Sequence, residues 1–594
     1  MTIITLQLTL TLKAPYLTQS AVPTDYGVDV SLAKNYAGRF YIPATLLIGK
    51  LRESWKELRK LQSPQFPVNI EQWLGNKSDP EKEENEPENT VEPKRKQLMI
   101  EDLVLVDTLK STDKKHYRIR INPELGSVAK GAYIVTEKPF ATGESITFQG
   151  DAYFLTADDE ERDRIISCLK KGLQWISQLG ANRTIGFGEL LDVQVEPKQP
   201  SSAQTQTPLS KRTRYGLRLQ PHAPFCLAER RVSGNLFRSN DTISGGTMKG
   251  ILATMFPDEL PKHFDDIRIS HAFPSCKTTR SVRFPLSLVK VGEDYYDVAL
   301  CETPVLFWEG EGENKRLSAP AFAMDWKSEG KVKKDFGWPA VKRELRVRTA
   351  IDSEKRRSQD EQLFAYEMIL PTLPEETLDW LAYIDLSQVP ANEQDDVAKK
   401  LQDLTAHCLL GLGKTKVVVD AHLVADQIEP YCSSQLTSRD GVWIITLQTP
   451  ALLGDPQVEL HQAYREIWKQ LSQNSLEMVR FFATQTLAGG RYFWKRFQTH
   501  ATCYQPYLLT DVGSVFVLKA VENQENDARK FIEQWFNSGL PLAESLLKRY
   551  ELSSDLQTQW QQCPYLPQSG YGEIAVNLSV HWDLRPQKEG IVNL

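Results

Sequence analysis

The sequence is short of the signatures by which small catalytic or metal-holding sites are usually found. Its eight cysteines, at 168, 226, 276, 301, 408, 432, 503 and 563, include no CxxC pair. That argues against a zinc ribbon or a disulfide framework and reads them as small buried hydrophobes. Nine histidines form no HxxxH or HExxH pair, so a histidine-held metal is not expected. His116 and His500 are candidates for general acid or base, although an isolated histidine is more often structural. No apolar run approaches the ~20 residues needed to cross a bilayer. The opening "MTIITLQLTLTLK" has no basic n-region and alternates polar with apolar residues, so it reads as a strand, and a cytoplasmic location is expected. Positive charge is also in deficit: the formal net charge is -6, which counts against a free-standing nucleic-acid binder, because phosphate neutralisation needs lysine and arginine on the binding face.

The charge is unevenly distributed. "DPEKEENEPEN" (Asp79 to Asn89) gathers acid, whereas "SKRTRYGLR" (Ser210 to Arg218) and "KVKKDFGWPAVKRELRVR" (Lys331 to Arg348) gather base. At 594 residues the chain exceeds what one hydrophobic core organises, and about two to four domains are expected. Three strand-like openings occur. Ile4, Leu6, Leu8, Leu10 and Leu12 alternate with polar residues up to Ala-Pro. "RYGLRLQPHAPFCL" stops at a second Ala-Pro, and "GVWIITLQTPALL" at Thr-Pro. The period of two marks a strand with one buried face. Three closings follow helix-like segments: "RTIGFGELLDVQV", "GLGKTKVVVDAHL" and "SGYGEIAVNLSV". The middle stretches Tyr117 to Phe154 and Leu345 to Ile369 each show a basic strand and an aromatic strand ending on an acid, Glu137 or Glu367. They are read as the paired middle strands.

The pattern predicts an α+β chain of tandem ferredoxin-like (RRM-like, βαββαβ) domains, with insertions and extra helices near the C-terminus. The divisions are 1–197 with an inserted acidic segment at about 62–101, a linker at 198–212, a second unit at 213–437 and a third, helix-rich unit at 438–594. The acidic insertion and "FWEGEGENKRLSAPAFAMDWKSEGKVKKDFGWP" are expected to be mobile loops.

One phrase occurs twice, as "GRFYIPATLLIGKLRESW" from Gly38 and "NDTISGGTMKGILATMF" from Asn240. Small residues at a helix start let another backbone approach where unpaired N-H groups favour a phosphate, and Lys50, Arg52 and Lys249 add charge there. The competing reading is close packing of helix on sheet. The phrases resemble the (Y)IPG-S-x-x-KG-x-(L/A)-R signature of the RAMP superfamily of CRISPR-associated proteins, and "NRTIGFGEL" and "QSGYGEI" resemble its glycine-rich loop. Residues 1 to 197 are similar to a Cas-seven backbone subunit of a type III effector. From residue 213 the chain is similar to the Cas-five-like Csx-ten subunits of type III-D systems.

The resemblance implies a ribonucleoprotein subunit whose partners are guide RNA, target RNA and further effector subunits, including a large polymerase-like one. It implies an endoribonuclease whose aspartate lies in the loop before the signature. Counting back from "YIPAT" makes Asp29 the match and Asp25 the second choice. RNA carries its own nucleophile, the 2'-OH, so a carboxylate need only accept a proton or hold a divalent ion, Mg or Mn. The corresponding loop of the second unit offers Glu229 and Asp241 but no good match, and its Arg230, Arg231 and Arg238 suggest gripping of the RNA backbone. Arg183, Arg346, Arg348, Lys414 and Lys416 complete the expected RNA contacts, and the helices after residue 456 are candidates for a fused small subunit. "IPAT" in place of IPGS and "GLGKTKVVV" without its aromatic depart from the family pattern. The alternatives are a non-catalytic scaffold, a guide-processing ribonuclease and a general single-strand RNA binder.

Overall fold

The structure is a computed structural model that describes residues 2–20, 26–62, 66–75, 96–106, 115–198, 209, 211–233, 235–275, 278–302, 305–310, 315–323, 330–352, 357–372, 377–424, 428–498 and 503–593. Three sheets repeat one order. The first runs Tyr41–Ile42, Leu103–Leu105, Ser145–Thr156, Thr2–Lys13, Glu189–Pro197. The second runs Arg268–Ile269, Asp379–Asp385, Arg214–Pro221, Val417–Val424 and ends on Leu409–Leu412. The third runs Leu476–Phe482, Val515–Ala520, Val442–Leu447, Ile574–Val576. In each, the opening strand lies antiparallel between a middle strand and the closing one.

The cause is visible in the alternation. Leu6, Leu8, Leu10 and Leu12 are all fully buried in the first core, each contributing about 1.5–3 kcal/mol of apolar burial. Helices α1 (Ala44–Gln62), α2 (Ile70–Leu74) and α3 (Asp159–Gln174) belong to this unit. Trp55 of α1 donates its indole N-H to the Cys168 carbonyl of α3 at 2.9 Å, and a side chain at Gly172 would collide with that indole. Asp158 caps α3 by accepting from the Glu161 amide at 2.6 Å, with Asp159, Glu160 and Glu161 in the first turn, where negative charge suits the helix dipole. In the second unit α4 (Gly245–Met255) and helix Gln394–Thr405 make the crossovers.

Three expectations change. The basic and aromatic strands read as sheet members are instead separate hairpins: Lys115–Ile121 with Val128–Glu137, and Arg343–Asp352 with Arg357–Ile369. The sheets take their middle strands from Ser145–Thr156 and Asp379–Asp385 and from very short second strands. The described ends of the Trp-rich insertion are packed, with Phe307, Val332, Phe336 and Trp338 buried, while Arg316–Ser318 and 321–323 between them lie largely exposed. The described edges of the acidic segment also carry core residues, Phe66, Trp73 and Leu98, while its acidic run lies outside the described residues. Finally, helices Leu460–Leu471 and Glu525–Ser538 supply Tyr464, Trp468 and Trp535 to the third core. They serve as that sheet's crossovers, not as a detached bundle.

The units are joined by polar contacts in apolar surroundings. Met99 and Tyr153 of the first unit enter the second core. Beside them His222 meets Glu101 at 3.3 Å through Nδ1 and Asp420 at 3.0 Å through Nε2. Burial alone would push the imidazole down, but Asp420 and Glu101 outweigh it and push it up to about 10. Asp420 is correspondingly lowered, burial opposing and His222 prevailing. The second and third units are bound by Arg280, which pairs with Glu573 through both terminal nitrogens at 2.5 and 3.0 Å, and by strand Ile591–Asn593, which pairs with Val305–Glu309.

A pH dependence follows from His222. A histidine with a raised folded pKa contributes stability that is complete below its unfolded pKa of about 6.5 and is lost as pH rises. Chemical denaturation of the chain between about pH 6.5 and pH 10 should show declining stability, and His222→Gln should flatten that decline. An equally steep decline in the variant would refute the assignment.

Candidate nucleic-acid interface

The loop between the first strand and α1 is fixed by the first hairpin. Asp29 donates its amide to the Val135 carbonyl at 2.8 Å and accepts the Val135 amide on Oδ2 at 2.7 Å. Two residues on, Glu137 is buried; it accepts the Leu32 amide at 2.8 Å and pairs with Lys34 at 3.5 Å. Asp29 itself is exposed. On its other side the hairpin reaches the glycine-rich loop: Arg118 donates to Asn182 Oδ1 at 3.3 Å, and the His116 and Phe187 rings meet at 5.9 Å. The exposed rings of Tyr117 and Tyr133 stack at 6.1 Å on this hairpin. Lys115 lies near the Tyr26 carbonyl, at 3.5 Å. One carboxylate, a basic and aromatic hairpin and the loop bearing Arg183 thus form one surface. Among the described residues no hydrogen bond or ion pair engages the Arg183 side chain, whose backbone carbonyl accepts from the Gly186 amide at 3.0 Å.

The second unit repeats the device. Glu367 at its hairpin's end accepts from Arg343 at 2.6 Å and faces Arg238 at 3.6 Å. Strand Leu236–Ser239 runs parallel to the hairpin, with Leu236 opposite Ala365 and Arg238 opposite Glu367. Because Val135 and Ala365 both stand two residues before the acid, Leu236 occupies the place of Asp29. Arg230 stands opposite Arg238; the side chains of Arg230 and Arg231 lie outside the described atoms, as do Asp25 and His500 altogether.

Between the first two units the expected cations converge. Asp102 accepts the Ala44 amide at the start of α1 at 2.8 Å on Oδ1, and Arg346 at 3.0 Å on Oδ2. Arg346 also donates to Glu344 at 2.8 Å and lies over the Tyr41 ring, yet its buried Nη2 has no partner among the described residues. Next to it Arg348 stands over Tyr366 at 5.4 Å, Tyr366 stacks on Phe237 at 5.4 Å, and Lys414 stands over Phe237 at 4.1 Å. Lys96, which no sequence pattern singles out, completes the group. Burial, then Arg348 and Lys416, push its ammonium down to about 8 while Asp102 pulls the other way. Burial and Arg346 lower Arg348 in the same manner. Like charges are therefore held together around a carboxylate that is already shared.

Other expected contacts are satisfied internally. Arg52 donates to the Leu74 and Gly75 carbonyls at 2.6 and 2.9 Å, closing the C-terminal end of α2. Lys50 pairs with Glu53 at 2.5 Å. Lys249 donates to the Asp265 and Ile267 carbonyls at 3.2 and 2.8 Å. The small residues of α4 make room for protein: a Cβ at Gly245 would collide with the Ile269 carbonyl oxygen and stand 2.8 Å from that of Ser569, in the third unit's glycine-rich loop. At the start of α1 the place read as a phosphate site holds Asp102.

A divalent ion finds no closed cage here. Among the described residues no group of three or more His, Cys, Asp or Glu is placed to hold one. Asp29 offers a single carboxylate, so any Mg or Mn would draw its other ligands from RNA phosphate and water.

Gly250 in α4 is exposed and open on all sides, whereas Gly245 is enclosed. Gly250→Ala should raise unfolding stability by about 0.5–1 kcal/mol, and Gly245→Ala should lower it by about 1–3 kcal/mol, as read by urea denaturation.

Residues 9–190 match the RAMP superfamily, and residues 305–576 match the family described as CRISPR-associated protein (Cas_Cmr3). No curated protein matches the chain. Among 155 matching chains of solved structures, one from "Cryo-EM structure of the Type III-B Cmr-beta bound to cognate target RNA and AMPPnP, state 1" is 12% identical, covering 57% of this chain and 92% of its own, at a TM-score of 0.28.

Proposed function

Because the chain is a CRISPR-associated protein of the RAMP superfamily, we propose that it is a subunit of a type III-D effector that fuses a Cas-seven-like backbone domain to a Cas-five-like double domain. Each of its three units is read as ferredoxin-like, on the shared strand order. Its partners are guide RNA, target RNA, the large polymerase-like subunit and further backbone subunits. The observation that carries RNA binding is the group Lys96, Arg346, Arg348, Lys414 and Lys416 with the Phe237 and Tyr366 rings. Lys96 and Arg348, which burial and neighbouring cations hold below their ordinary values, gain most from an arriving phosphate, and stacked rings beside them suit a base. A chain with net charge of -6 binds through this local surplus, not through its overall field.

The first unit cuts the target and the second only grips. In the first, a strand lying along the hairpin presents the exposed Asp29 carboxylate to a sugar-phosphate junction. The 2'-oxygen attacks phosphorus, its proton passes to Asp29, and the P–O5' bond breaks as the departing 5'-oxygen takes a proton from water, leaving a 2',3'-cyclic phosphate and a 5'-hydroxyl. A divalent ion bound by Asp29 and phosphate would neutralise the charge that develops on the phosphoryl oxygens. In the second unit Leu236 stands where Asp29 does, which supports a holding role at the guide's 5' tag. The bond from the Val135 amide to Asp29 favours one alternative, a scaffold in which Asp29 only anchors its loop.

In an effector reconstituted with guide RNA, Asp29→Asn keeps an oxygen for the Val135 amide. It should lower target cutting by about 10²–10⁴-fold with guide retention unchanged. Unaltered cutting leaves the scaffold. Arg348→Gln with Lys416→Gln should weaken RNA binding without regard to sequence and reduce the salt slope by about 1 for each phosphate no longer neutralised. Because it removes repulsion, the pair should not lower the melting temperature; a lower melting temperature with unchanged affinity would mark these cations as structural.

A further inference from the structure

The third unit carries a face that plays no part in the contacts described above. From Met478 to Thr510 the sequence holds Arg480, Arg491, Lys495 and Arg496 and no Asp or Glu, in a chain with 77 acidic residues among 594, so the stretch reverses the overall charge locally. Leu556 to Gly572 is also free of acid. The fold brings the two together: helix Arg491–Phe497 packs against helix Leu556–Gln562. The flanking acids are engaged, since Asp511 accepts the Thr486 hydroxyl at 3.1 Å and Asp555 that of Thr558 at 3.4 Å. Helix Arg491–Phe497 divides its aromatic residues. Phe493 packs on the third core, its ring stacked on Phe497 at 5.8 Å and on Tyr565 at 6.0 Å. Trp494 stays 44% exposed, its ring 6.3 Å from that of Tyr504, which is 43% exposed. Lys495 and Arg496 are exposed beside it and form no ion pair among the described residues, although Arg496 lies over the Phe497 ring at 5.5 Å.

The two exposed rings are held in place. The Tyr504 hydroxyl accepts the Gly490 amide at 2.7 Å, and it sits so close to the turn before the helix that a Cβ on Gly489 would stand 2.5 Å from it. At the other end of the helix the buried Gln498 donates to the Gln505 carbonyl at 2.6 Å and accepts the Gln505 amide at 3.2 Å. A ligand therefore meets rings that need little further ordering. A fixed, exposed tryptophan beside free cations, with no acid in either segment, is suited to a single strand: a base stacks on the ring, the cations neutralise phosphates, and no sequence is read. A protein partner fits less well, because protein interfaces are depleted of lysine. We infer that this face binds single-stranded RNA, with one base on Trp494 beside Tyr504 and the adjoining phosphates on Lys495 and Arg496. The inference rests on the reading that the chain handles RNA, but on none of the residues that carry that reading.

The full chain is irradiated with a short oligouridylate containing 4-thiouridine, and crosslinked residues are identified by mass spectrometry; crosslinks are expected at Trp494 or Tyr504. Affinity is measured by anisotropy of a labelled oligouridylate in the Arg348→Gln, Lys416→Gln chain, where the cations between the first two units are reduced. There Trp494→Ala should weaken binding about tenfold or more, Trp494→Phe should keep most of it, and the affinity for duplex RNA of the same length and the melting temperature should not change. Undiminished oligouridylate binding by Trp494→Ala, or no crosslink at either ring, overturns this site and leaves the cations of the first two units as they stand. Crosslinks retained at Trp494 in a chain whose RNA affinity is unmoved by Arg348→Gln with Lys416→Gln would uphold this site and remove the role given to those cations. Protection of Trp494 from photo-oxidation by another effector subunit but not by RNA assigns the face to a protein and overturns the inference.

Discussion

One carboxylate sets the geometry on which the interface between the first two units depends. Asp102 closes the N-terminal end of α1 with one oxygen and holds Arg346 of the second unit's hairpin with the other. An acceptor at a helix start is favourable because the first amides have no partner within the helix. Here the same atom group also draws a cation 244 residues away in sequence into contact with the first unit. Held there, Arg346 stands beside Arg348, which in turn neighbours Lys96, so the bond that docks the units also assembles the cations. Tyr41 beneath Arg346 and the His222 pair nearby brace the junction. On the proposed function, a phosphate arriving at these cations would meet charges already fixed in place, with little ordering entropy left to oppose its binding.

Much of the architecture was legible because each unit opens and closes on long strands with one buried face. Leucines at 6, 8, 10 and 12 can satisfy only that geometry, and the positive-φ glycines at 186, 188, 570 and 572 mark the closing loops. The second strands were not legible: Leu103–Leu105 and Arg268–Ile269 are too short to show a period. The hairpins misled because they also alternate, Arg346 and Arg348 against the exposed Leu345 and Val347, and alternation does not say which sheet a strand joins. The Trp-rich insertion was read from its charges, yet Phe336 and Trp338 decide its fate.

The candidate site was half legible for a related reason. Sequence reasoning can place a cation on a loop but cannot tell what it will meet. Arg346 meets Asp102, and Arg348 and Lys414 lie over the Tyr366 and Phe237 rings, whereas Arg52 and Lys249 meet carbonyls. Lys96 was overlooked because it follows the acidic segment, where a lone lysine carries no signal. Asp102 was overlooked because its two partners come from distant parts of the chain.

The repeated phrase has different physical content in its two copies, and the difference bears on how such a chain diverges. At α1 the helix start is satisfied by an internal carboxylate, and Gly49 stands open. At α4 Ser244 caps the Thr247 amide, and Gly245 is pressed between the second sheet and the third unit's glycine-rich loop. A motif that begins as a place for close approach can thus be filled by a neighbouring domain once domains are joined in one chain. The loops before the two helices diverge in parallel: the same register position is the exposed Asp29 in one unit and Leu236 in the other, while the acids that pin both loops, Glu137 and Glu367, remain. On the proposed function, the pinning serves either role, since it would fix the path along which RNA lies. Only the residue facing that path decides whether the unit can take a proton from it.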